Sequence, residues 1–79
     1  MVFCKLIEVL TDKVVYAIGG CTSDLTGKMW ISRAIDEYEI EKWPDESKVY
    51  RVHVERLLRK YSDDFKKGVF PEKLAYVAI

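Results

Sequence analysis

The side chains in this sequence that could do chemistry are few, and His53 comes first. It is the only histidine, and imidazole is the side chain whose unperturbed pKa of about 6.5 suits proton transfer near neutrality. It falls on an apolar helical stripe, where a general base needs a carboxylate or a nucleophile beside it. Asp45, Glu46 and Glu55 are near in sequence, but none stands four residues away on the same face. A small ligand-binding or catalytic site would then lie between helix and sheet at His53, Tyr50 and Tyr16. The competing reading is a core-edge histidine making one hydrogen bond. Cys4 and Cys21, with sixteen residues between them, form no CxxC pair, and with one histidine they fall short of the four ligands of a structural zinc. No metal or cofactor is expected, and no catalytic residue is assigned. The cysteines read as reduced, small apolar fillers, although a diagonal pairing across the first hairpin leaves open a bridge that would need some backbone shift.

The loop GGCTSDLTGK, residues 19–28, has the glycines of a phosphate cradle but not the spacing. Six residues separate Gly20 from Gly27, Met29 stands where a magnesium-binding hydroxyl would be, and a strand rather than a helix is expected to follow. A hydrogen-bonded surface loop accounts for the same residues through Thr22, Ser23, Asp24 and Thr26. Glu37, Glu39 and Glu41 alternate along one strand and read as a solvated acidic ladder, not a catalytic pair.

Composition narrows the classes further. The 79 residues are 49% hydrophobic and 33% charged, an ordinary folded mixture, and the size fits one small domain spanning residues 1–79. Thirteen basic residues balance thirteen acidic ones, so bulk charge advertises neither nucleic acid nor an anionic membrane. Locally the balance breaks: residues 36–46 are acidic, and the helix that follows carries Arg51, Arg56, Arg59 and Lys60, a set that could contact phosphate. Zero net charge and the lack of a nucleic-acid motif count against that use; a solvated helix face explains the same residues. No apolar run approaches a membrane span and the N-terminus lacks a signal-peptide pattern, so the expected setting is the cytoplasm.

The elements that must position these side chains read as α+β. Residues 2–10 and 13–18 form a hairpin around Thr11-Asp12; a register with Val9 opposite Val14 throughout puts Phe3, Lys5 and Ile7 on the core face and Cys4, Leu6, Glu8, Val15 and Ala17 on the outer one. Strands starting at Lys28 and ending at Glu41 pair Ile31 with Tyr38, Met29 with Ile40, Trp30 with Glu39 and Lys28 with Glu41. Asp36 is expected at a turn position of positive φ and Ile35 exposed. A helix starts near Ser47, capped by Asp45, Glu46 or Ser47, buries Tyr50, His53, Val54, Leu57 and Tyr61, and either runs to Phe65 or breaks at Ser62, with Gly68 as its stop. Leu74 to Ile79 is a last short strand or an apolar tail. The expectation is a four-stranded antiparallel meander with one long helix on one face and this C-terminal segment.

The stretches ISRAIDEYEI, YRVH and GVFPE resemble small bacterial proteins that combine a β-meander, a Tyr-x-x-His helix and a GxFPE-like C-terminal segment, over residues 28–79. The resemblance implies this architecture and no known activity. From the residues, the leading expectation is a non-enzymatic protein-interaction module that self-associates through the outer sheet face. An apolar outer sheet face of Trp30, Leu6, Val15 and Ala17 would be covered by the C-terminal segment, by a second copy as a homo-oligomer, or by another protein.

Overall fold

Among the described residues, alternating apolar positions produce five strands, and a 3.6-residue apolar stripe produces two short helices. In chain order they are β1 (Val2–Val9), β2 (Lys13–Gly19), β3 (Gly27–Ser32), β4 (Tyr38–Lys42), α1 (Arg51–Lys60), α2 (Ser62–Lys66) and β5 (Lys73–Tyr76). The computed structural model describes residues 1–34 and 37–77, so the expectations for Ile35, Asp36 and Ile79 lie outside the described residues. All five strands belong to one antiparallel sheet in the order β4-β3-β2-β1-β5, with the helices on one side. The α+β class holds. The count does not: there is a fifth strand, and the single long helix is two.

The first hairpin departs from a simple ladder at Ile7. Near the turn Val9 faces Val14 and Glu8 faces Val15, but beyond the irregularity Leu6 faces Tyr16 and Cys4 faces Ile18. Ile7 is the extra residue of a bulge, 53% exposed, and each residue before it changes face. Cys4 and Leu6 therefore point to the helices, and Phe3 and Lys5 point away, the reverse of the uninterrupted register. The bulge lets Val2, Cys4 and Leu6 join the core while Lys5 stays in water. On the other side β3 and β4 pair as expected at Ile31–Tyr38, Trp30–Glu39 and Met29–Ile40. A second irregularity then sets Lys28 opposite Lys42, leaving Glu41 to form a 3.8 Å ion pair with Lys28.

The helix starts later than its acidic residues suggest, because Ser47 is engaged elsewhere. Asp24, 5% exposed in the β2–β3 loop, accepts hydrogen bonds from the Ser47 backbone N–H and hydroxyl (both 2.6 Å), the Glu46 N–H (3.1 Å) and the Thr26 hydroxyl (2.6 Å). Those bonds hold its carboxyl well below the usual carboxylate range. The Ser47 hydroxyl also accepts from the Gly20 N–H at 2.7 Å. Helical dihedrals begin only after Tyr50, which offers no side-chain cap. Tyr50 itself is 51% exposed, outside the stripe of Val54 and Leu57 that is fully buried.

α1 ends at Tyr61, whose φ of −101° and ψ of 6° break the helix where Ser62 follows. α2 stops at Gly68, φ +79°: the Gly68 N–H bonds the Phe65 carbonyl and the Val69 N–H bonds the Asp64 carbonyl, a Schellman closure that needs the left-handed conformation glycine adopts without strain. The chain then returns past Pro71, whose carbonyl accepts the buried Tyr16 hydroxyl at 2.8 Å. β5 lies along β1, with Leu74 opposite Cys4. Lys73–Tyr76 thus extend the sheet sideways and do not lie over the outer face. The core is Val2, Cys4, Tyr16, Ile18 and Met29 from the sheet against Val54, Leu57 and Phe65 from the helices.

Candidate functional site

The helix-free face of the sheet gathers three of the four residues expected there. Val15 and Trp30 are direct cross-strand neighbours, and Ala17 lies two residues along β2 from Val15. Leu6 is not among them, because the bulge at Ile7 turns it toward the helices. Trp30 is half-buried and Val15 only 4% exposed, although no helix lies over them. Cover comes from the neighbours: the indole is the largest side chain beside Val15, and Lys13 places its ammonium 5.4 Å from the Trp30 ring centre. Around this centre the face carries Lys5, Lys13 and Lys28 on one hand and Glu8 and Glu39 on the other.

His53 sits in an aromatic setting on α1. Tyr50 meets its ring edge-on at 5.5 Å between centres and Tyr76 of β5 lies at 5.9 Å. Its Nδ1 is buried with no hydrogen-bond partner among the described residues. Tyr16 is not part of this group; its hydroxyl is held by Pro71, its ring lies 6.5 Å from that of Phe65, and burial raises the phenol above its ordinary value, so it stays protonated and donates. Among the described residues no carboxylate is hydrogen-bonded to His53, and Glu55, next along the helix, accepts instead from the Tyr38 hydroxyl at 3.0 Å. Cys4 offers no nucleophile: burial pushes its thiol up to about 12, and thiols that react are thiolates. Both cysteines are free, and Cys21 lies in the loop, outside the ladder, 3.3 Å from the Ser23 hydroxyl.

The four basic residues of α1 divide in two. Arg51 stacks over Tyr38 and Trp43 at 5.8 and 5.7 Å and donates to the Tyr38 hydroxyl at 3.3 Å, while Lys60 donates to the Ala75 carbonyl at 3.0 Å. Arg56 and Arg59 are exposed, and their guanidinium groups have neither hydrogen bond nor ion pair among the described residues. The phosphate-contact expectation is left with two free groups rather than four. Among the described residues no three His, Cys, Asp or Glu side chains are grouped so as to hold a metal ion, and no helix is long and apolar enough to cross a membrane.

Asp24 is the residue that local sequence reading missed. Its neighbours Thr22 and Thr26 signal a loop, but its partners at 46 and 47 are over twenty positions away, beyond any local pattern. No protein family, curated protein or solved structure matches the chain.

Proposed function

We propose that this domain is a non-enzymatic interaction module that associates with a second copy of itself through the helix-free face of the sheet, with Trp30 at the centre and Val15 and Ala17 beside it. The observation that carries the reading is a tryptophan standing half-buried on a face without helices. The charges around it favour a second copy over a partner of one sign: Lys5, Lys13 and Lys28 share the face with Glu8 and Glu39, and the whole chain is neutral. Light scattering after size exclusion tests this. A dimer that persists in moderate salt is expected, with Trp30→Glu reducing it to monomer and Trp43→Glu, at an exposed aromatic off this face, leaving the mass unchanged. A monomeric wild type, or a Trp30→Glu protein of unchanged mass, removes the reading.

The buried, unpartnered Nδ1 of His53 favours a second reading, a small-ligand site between α1 and β5 with Tyr50 and Tyr76 as walls. NMR of the imidazole tests it: a ring that ignores pH across neutrality and shifts with no added small molecule eliminates the site.

A further inference from the structure

Where β1 and β5 meet the β2–β3 loop, the sheet carries a cleft of about 390 Å³. Phe3, Leu25, Leu74 and Ala75 give it apolar walls, and Lys5 and Lys73 stand at it. These two lysines are direct partners in the β1–β5 ladder, an arrangement in which like charges destabilise the pair. Neither has an ion-pair or hydrogen-bond partner among the described residues; the ion pairs there use Lys28 and Lys42. Two exposed, mutually repelling cations beside apolar walls are an unsatisfied arrangement that an anion would complete.

The loop wall of the cleft is held in place. It passes across Gly19, where any side chain would collide with the Asp24–Leu25 backbone, and Asp24 ties it to residues 46 and 47. The wall that Leu25 forms therefore exists before any ligand arrives, so little ordering cost accompanies binding.

We propose that this cleft binds a small amphipathic carboxylate, one oxygen toward each of Lys5 and Lys73, with an apolar body no larger than a medium-length alkyl chain against Phe3 and Leu25. The two carboxylate oxygens match two ammonium donors, and the ligand's charge removes the repulsion between them. The inference does not rest on self-association: the cleft is built on β1 and β5, and although Lys5 shares the helix-free face and stands opposite Ala17, Trp30 is on β3, beyond β2.

The experiment is a titration of the ¹⁵N-labelled protein with octanoate, using acetate as the anion without a body and 1-octanol as the body without a charge. Saturable shifts are expected at the amides of Lys5, Thr22, Leu25, Lys73 and Ala75. Octanoate should bind at least ~10-fold more tightly than either control, since a charge-assisted hydrogen bond is worth about one decade or more in affinity. Added salt should weaken it. Lys73→Met keeps the alkyl stem and removes the charge, so its spectrum should otherwise match wild type while octanoate affinity falls by about tenfold. Lys5→Met should do the same and serves if the first variant folds poorly. Shifts that never saturate or map elsewhere, octanol binding as tightly as octanoate, or unchanged affinity in both variants would each overturn the proposal.

Discussion

The two faces of this sheet are made by the same strands and reach burial by different means. On the helix side the alternate residues Val14, Tyr16 and Ile18 of β2 are covered by elements distant in sequence, Val54, Leu57 and Phe65. On the other side Val15 is as well shielded, yet its cover is local: Trp30 across the ladder, with Lys13 over the indole in turn. The lesson is that an apolar residue on an uncovered face is not by itself an open patch. Burial of Val15 leaves Trp30 as the outermost apolar group at the centre of that face, which is why the interaction reading rests on it.

Substitutions on the two sides of the sheet should have unequal effects. The largest effect is expected on the helix side: Leu57→Ala should cost about 3 kcal/mol in denaturant unfolding, because a fully buried leucine leaves a cavity beneath α1. Asp24→Asn comes next, with a fall in melting temperature on the order of 10 °C as the bonds to residues 46 and 47 weaken. The same residue sets a pH signature. Its folded pKa is lowered, so its contribution is complete above the unfolded carboxylate value of about 3.9 and is lost as pH falls below it; Asp24→Asn should flatten this acid limb of a pH–stability curve.

Tyr16→Phe removes the bond to the Pro71 carbonyl and should cost about 1 kcal/mol. Deletion of Ile7 should cost less than about 1 kcal/mol, since it removes only the bulged residue and leaves Leu6–Tyr16 and Glu8–Val15 pairing in place; a protein unfolded by the deletion would show that the uninterrupted register is the real one. The smallest effect has the opposite sign. Lys73→Met should raise stability by a few tenths of a kcal/mol, measurable in low salt, by relieving Lys5.

Much of this architecture was legible in the chain. The β3–β4 register follows from matching Met29 and Ile31 with Ile40 and Tyr38, and Gly68 marked the helix stop, because both depend on neighbours close in sequence. What escaped depends on distant ones. A bulge at Ile7 has no signature in a run of apolar residues where either alternation is plausible, and it alone decides whether Leu6 or Lys5 faces the helices. Ser47 looked like a helix cap because its long-range partner Asp24 is invisible to local pattern, and Tyr50 followed it into a helix that starts later. At the candidate site, Trp30, Val15 and Ala17 were found by alternation along β2 and β3, whereas the Lys5–Lys73 pair appears only once β5 is laid on β1.

That placement of β5 has a consequence for how the chain assembles. β1 is an interior strand, but its second neighbour arrives some seventy residues later, after the rest of the sheet and both helices have been made. While synthesis proceeds, one side of Val2–Lys5 presents unpaired backbone groups and an apolar flank, a template for pairing with another nascent chain. When β5 docks, the Tyr61 hydroxyl takes the Ala75 N–H at 3.2 Å and Lys60 takes its carbonyl, so the new border is sealed as it forms. Conditions that slow completion of the last strand should therefore favour aggregates nucleated at β1, and those aggregates should be rare once the full chain has folded.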